Sequence, residues 1–110
     1  MELNIKDRLF FGNILPDCKS FLEFNLKRSI LGKVAITNTD RGKYEIVHDQ
    51  ESNSVRWNPK TDSEQPLRVR FTDEELAFIK RGCETLDGQA YPDDFWRTVE
   101  KVWNAANEKE

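Results

Sequence analysis

Hydrophobic residues recur at helical spacing most clearly in the last third of the chain. A capping box runs from Thr72 to Glu75, in which each side chain can satisfy an exposed backbone N–H group. An apolar stripe follows it, made of Leu76, Ile79, Cys83 and Leu86. Gly88 is a typical helix end, and Pro92 opens a second stripe made of Phe95, Val99, Val102 and Ala106. These patterns predict two C-terminal helices.

Two further helices are predicted in the first third of the chain. The first covers residues 5–15, with Asn4 as N-cap and Pro16 as the residue that ends it. The second covers residues 21–31 and begins at a capping box of Ser20 and Glu23. Its apolar pattern is Phe24, Leu26, Ile30 and Leu31, and Gly32 is the predicted end.

The middle of the chain changes to an alternation of polar and apolar residues. This period predicts a hairpin in which 44–48 pairs with 54–58, and a third strand over 67–71. The polar, proline-bounded segment 58–66 is predicted to be a mobile loop. Residues 34–43 fit either a hairpin strand or a short helix capped by Thr37, and we favour the short helix.

Together these elements predict an α+β fold. We expect a small three-stranded antiparallel sheet with two N-terminal and two C-terminal helices. With 110 residues, the chain has the usual size of one domain. We assign residues 1–107 to that domain and residues 108–110 to a frayed C-terminal tail.

Composition limits the environment and the partners. The formal net charge of −3 argues against a protein that coats DNA non-specifically, because such domains are basic overall. The N-terminus carries no apolar signal segment and no apolar run is long enough to span a bilayer, so we expect a cytoplasmic protein without membrane contact. Cys18 and Cys83 are then expected as buried small hydrophobic residues, not as a disulfide.

Residues that carry chemistry are scarce. His48 is the only histidine and the two cysteines lie far apart, which is too few ligands at the wrong spacing for zinc. The five glycines are isolated, so no phosphate-binding loop is present. We therefore expect no enzyme activity, no metal and no cofactor.

Two kinds of binding surface remain. The first is aromatic: Trp57, Trp96 and Trp103 are candidate contacts to a protein partner or to a second copy of the chain. The alternative is a small nucleic-acid-binding regulator whose N-terminal half is similar to a winged helix. Arginines at alternate strand positions could share the solvent face of one sheet, and the candidate residues are Arg41, Lys43, Arg56, Arg68 and Arg70.

Several short motifs are typical of one group of proteins. They are a basic first helix (5–9) leading to Ile14-Leu15-Pro16, a Phe21-Leu22 helix start, Trp57-Asn58 after a turn, and an acidic capped helix that ends in Leu86-Asp87. In these motifs the chain resembles small proteins encoded in bacteriophage and prophage genomes. It departs from them over 34–43, where those proteins carry a longer acidic helical turn. The group has no established activity, so the resemblance implies a phage-related context and no mechanism.

Overall fold

The computed structural model describes residues 1–108 and has an α+β architecture. Its helices are α1 (Ile5–Ile14), α2 (Phe21–Val34), α3 (Asn38–Lys43), α4 (Pro59–Glu64), α5 (Asp73–Thr85) and α6 (Asp93–Asn107). Its strands are β1 (Glu2–Leu3), β2 (Val47–Asp49), β3 (Ser54–Arg56) and β4 (Leu67–Arg68). Of the predicted frayed tail, residues 109 and 110 lie outside the described part of the chain.

Four helices enclose the hydrophobic core. Helix α5 packs against both α2 and α6, and α1 contacts all three. The predicted stripes of α5 and α6 are confirmed, because each of their apolar residues is buried. The large apolar side chains that are fully buried are Leu3, Ile5, Phe11, Ile14, Ile30, Ile79 and Val102.

The prediction of a single three-stranded sheet is wrong, because the described strands form two separate antiparallel pairs. The hairpin exists as β2 and β3, with Val47 opposite Arg56, but it is shorter than predicted. Strand β4 instead pairs with β1 at the N-terminus, with Leu3 opposite Leu67. The third strand therefore covers two residues and lies apart from the hairpin.

The predicted loop over 58–66 is also wrong, since it contains α4. Asn58 caps this helix by accepting hydrogen bonds from the N–H groups of Lys60 and Thr61, and Pro59 occupies the first turn. Asp62 is buried and accepts a hydrogen bond from the Ile5 N–H at 2.9 Å. Helix α4 is thereby fixed to the start of α1, and this places β4 beside β1.

The helices around residues 32–43 partly follow the prediction. Helix α2 does not end at Gly32 but continues to Val34. The short helix favoured for the next segment is confirmed as α3, with a capping box of Thr37 and Asp40. Arg8 of α1 is buried beneath this junction, where it donates hydrogen bonds to the Val34 and Ala35 carbonyl oxygens and forms an ion pair of 2.7 Å with Asp40.

Buried carboxylates connect the helices. Asp7 of α1 accepts hydrogen bonds from Thr98 Oγ1 at 2.9 Å and Lys101 Nζ at 2.6 Å, both on α6. Glu75 of α5 accepts from Ser29 Oγ at 2.8 Å and Lys33 Nζ at 2.5 Å, both on α2. A buried charge is tolerated only when it is paired and hydrogen-bonded, so these contacts also fix how the helices pack.

Among residues 1–108, no helix combines the length and the apolar character that crossing a bilayer requires.

Candidate functional site

A groove of about 390 Å³ lies between α5 and α6. One side of the groove, formed by α5 and the turn that follows it, carries Cys83, Glu84 and Asp87. The side formed by α6 carries Trp96, Val99, Glu100 and Trp103. Residues 96 and 103 are two helical turns apart, so α6 presents both indoles on the same side. The groove thus brings together two of the three tryptophans predicted to bind a partner.

An aromatic cluster holds Trp96 in position. The Tyr91 and Phe95 rings each meet the Trp96 indole edge to face, with centroids 5.5 and 6.2 Å apart. Phe95 is buried and in turn meets Phe10 of α1 edge to face, with ring centroids 5.3 Å apart. The Trp96 side chain is half-buried, so its exposed part is presented by a rigid support.

Three carboxylates surround the indoles. Glu84, Asp87 and Glu100 are exposed, and within residues 1–108 none of them takes part in a salt bridge or a side-chain hydrogen bond. The nearby lysine on α6, Lys101, is engaged with Asp7. The groove therefore combines apolar aromatic surface with three carboxylates that form no salt bridge within residues 1–108.

Cys83 lies at the base of the groove and is not a reactive thiol. Burial, together with the negative charge of Glu84, raises its pKa to about 11. Since the thiolate is the nucleophilic form, Cys83 is present mainly as an inert thiol at neutral pH. The expectation that Cys83 is a buried small hydrophobic residue is confirmed, whereas Cys18 is only half-buried; both are free.

Trp57 does not share this groove. It lies between the hairpin and α4 and lines a separate depression with Val55, Arg56 and Pro59. The side chain is half-buried. The structure therefore separates Trp57 from Trp96 and Trp103, although all three are candidate partner contacts in the sequence.

The basic residues of the nucleic-acid alternative do not share one sheet face. Arg56 lies on β3 and Arg68 on β4, which belong to different sheets. Each faces a carboxylate: Arg56 lies 4.0 Å from Asp49, and Arg68 lies 3.2 Å from Glu2. Arg41 and Lys43 are exposed on α3, and Arg70 is exposed after β4. The shared arginine face predicted from strand alternation is thus not formed, while nucleic-acid binding by these residues stays a prediction.

His48 and the cysteines occupy different places. The His48 Nε2 atom lies 3.3 Å from Asn53 Oδ1, at the hairpin. The small groove that His48 lines contains Leu9, Ile36, Arg41, Ile46 and Val55, without a cysteine or a carboxylate. Over the described range, the side chains of His, Cys, Asp and Glu form no group of three that could hold a metal ion.

An exposed apolar patch that was not predicted lies at the start of α2 and is made of Phe21, Leu22 and Phe24. These side chains are 77%, 70% and 48% exposed, and the two phenylalanine rings stack at 6.3 Å. The apolar pattern predicted for this helix includes Phe24, which the structure leaves exposed, and Ile30, which is buried. Phe21 and Ile30 are nine residues apart, which puts them on opposite sides of an α-helix, so a comparison with buried Ile30 could have revealed the patch.

The first turn of α2 is fixed in place by Glu23. Its carboxylate accepts hydrogen bonds from Arg81 of α5 and from the Lys19 N–H, both at 2.8 Å. The Arg81 hydrogen bond, together with that of Lys19, lowers the pKa of Glu23 to about 2. The patch is therefore presented by an anchored helix end.

Comparison of the chain with protein-family models, with curated proteins and with solved structures yields no match.

Proposed function

We propose that the protein is a non-enzymatic interaction module that binds a protein partner through the groove between α5 and α6. The observation that carries the proposal is the placement of Trp96 and Trp103 on the same side of α6, half-exposed above a groove of about 390 Å³. Aromatic residues dominate the binding energy of protein interfaces when they are anchored in a rigid surface.

The surroundings of the groove support binding in preference to chemistry. The thiol at its base is buried, with a pKa raised to about 11, and His48 lines another groove. The sequence resemblance implies a phage-related context, and we propose a host or phage protein as the partner. A fixed helix pair also suits recognition, because little conformational freedom is lost when a preorganised surface binds.

The test compares baits that differ at single tryptophans. The wild-type chain, the double variant Trp96→Ala/Trp103→Ala and the control Trp57→Ala are each used to retain partners from the native host. A retained protein is then purified and its affinity is measured by calorimetry. We expect the control to bind as wild type does, and the double variant to bind about 100-fold more weakly, as truncation of interface hot spots does.

Folding must be kept separate from binding. Circular dichroism and thermal melting identify any variant that has lost the fold, and Trp103→Phe replaces the double variant if needed. A purified partner that binds wild type and a folded groove variant equally would show that the groove is not the binding surface.

A further inference from the structure

We infer that the groove between α5 and α6 accepts an arginine side chain from a basic segment of the partner. This inference rests on the proposed function and specifies the chemistry of its ligand. It is carried by three carboxylates, Glu84, Asp87 and Glu100, that line the same groove as two indoles.

Charge is the first property of the groove that favours a cationic ligand. Exposed carboxylates on a helical surface are commonly balanced by a lysine or arginine three or four residues away. Glu84, Asp87 and Glu100 form no such salt bridge within the described chain. Lys101, the residue after Glu100, donates instead to Asp7 at 2.6 Å. Lys80 and Arg97 stand four and three residues before Glu84 and Glu100, but neither forms a salt bridge with them within the described chain. The carboxylates of the groove are therefore open to pairing with a cation from a partner.

The aromatic surface is the second property of the groove that favours a cationic ligand. An indole face attracts a cation through the ring quadrupole, and tryptophan does so more strongly than the other aromatic residues. Trp96 and Trp103 lie on the same groove as the carboxylates, so one bound cation can contact both kinds of group. An acidic surface alone would attract any cation, whereas the added indoles favour one with a flat face.

The chemistry of the guanidinium favours arginine over lysine as that ligand. A guanidinium is planar, stacks on aromatic rings and donates two parallel hydrogen bonds to a carboxylate. An ammonium is more strongly hydrated and acts as a point charge. A groove of about 390 Å³, with Val99 and Cys83 adding apolar surface, also accommodates the methylene stem that precedes the guanidinium.

The experiment uses the full chain labelled with ¹⁵N and three short peptides. One peptide carries arginines separated by glycine and serine. The second has citrulline in place of each arginine, which keeps the shape but removes the charge, and the third has lysine. The readout is the indole N–H signal of each tryptophan, for which Trp57 is an internal reference outside the groove.

We expect the arginine peptide to shift the Trp96 and Trp103 signals and to leave that of Trp57 in place. Citrulline should weaken binding about tenfold or more, and lysine should bind more weakly than arginine. Glu84→Gln/Glu100→Gln should abolish the difference between arginine and citrulline. The matched control, Glu51→Gln, changes an exposed carboxylate of the hairpin and should behave as wild type.

Equal shifts with arginine and citrulline, or shifts that persist unchanged in Glu84→Gln/Glu100→Gln, would overturn the inference. So would indole shifts that depend on protein concentration without peptide, because a second copy would then occupy the groove. A purified partner that loses affinity for Trp96→Ala/Trp103→Ala and keeps it for Glu84→Gln/Glu100→Gln would leave the proposed function standing. In that case, only the inference of an arginine ligand is wrong. A partner that binds both variants with wild-type affinity would contradict the proposed function itself.

Discussion

Gly82 of α5 lies directly against the carbonyl oxygen of Ile14 at the end of α1. A Cβ atom at position 82 would come within 2.3 Å of that oxygen and within 2.9 Å of Pro16 Cδ. No real Cβ contact is that short, and a backbone oxygen at the end of a helix cannot rotate away as a side chain can. The absence of a side chain at Gly82 therefore allows α1 and α5 to pack closely.

Gly82→Ala is expected to destabilise the protein by about 3 kcal/mol, because the helices must separate to accommodate one methyl group. Gly32→Ala is the matched control, since nothing lies within 4 Å of a Cβ there. In the interior of α2, alanine should stabilise the fold by about 0.5–1 kcal/mol. Urea unfolding measures both, and a Gly82→Ala protein as stable as wild type would contradict the close approach.

Asp7 and Asp94 allow a second comparison, because each connects α1 with α6. Asp7→Asn removes a buried charge that holds Thr98 and Lys101, so we expect a loss of about 2 kcal/mol of stability. Asp94→Asn breaks the ion pair with Lys6, in which the Asp94 side chain is 56% exposed and the Lys6 side chain 43% exposed. Because an exposed pair contributes little, this substitution should leave the unfolding midpoint nearly unchanged. Equal losses of stability from the two substitutions would show that burial does not decide how much each carboxylate contributes to stability.

The helices that could be predicted are those whose signals are local in sequence. The capping box of Thr72 and Glu75 and the four-residue stripe that follows it are sufficient to place α5. The cap of α2 differs in detail, because Glu23 accepts from Lys19 N–H in place of Ser20 N–H. Asn58-Pro59 was itself a helix-start signal, but the polar composition of the segment concealed it.

The hairpin of β2 and β3 could be predicted from the local alternation, but the pairing of β4 could not, because it depends on a distant residue. Leu67 pairs with Leu3, and no local pattern indicates which segment a two-residue strand will meet. The candidate site was predictable in part for the same reason. Trp96 and Trp103 follow from helical spacing, whereas Glu84 and Asp87 join them only through the packing of α5 on α6.

Glu75 predicts a pH dependence of stability. Burial raises its pKa, but hydrogen bonds from Lys33, the Thr72 N–H and Ser29 outweigh burial and leave the pKa below the ordinary value of 4.5. A carboxyl whose pKa is lowered by folding stabilises the protein above its unfolded pKa, and this stability is lost as the pH falls through the folded pKa. Stability should therefore fall as the pH drops below about 4.5.

Glu75→Gln tests that dependence. It should cost about 2 kcal/mol near neutral pH, because Lys33 and Ser29 lose a buried charged partner. It should also make stability less dependent on pH in the acid range. Glu74→Gln changes the exposed neighbouring carboxylate and is expected to keep the wild-type curve. Parallel acid curves for wild type and Glu75→Gln would show that Glu75 does not contribute this dependence.

The two cysteines should differ in reactivity. Cys83 is buried and its pKa is raised to about 11, so at pH 8 roughly one thiol in a thousand is the reactive thiolate. Cys18 is half-buried before α2 and should react with iodoacetamide much faster. Mass spectrometry of digested samples follows each site over time, and unfolding in urea should make the two rates similar. Folded protein in which Cys83 reacts as fast as Cys18 would mean that the groove between α5 and α6 opens to its base.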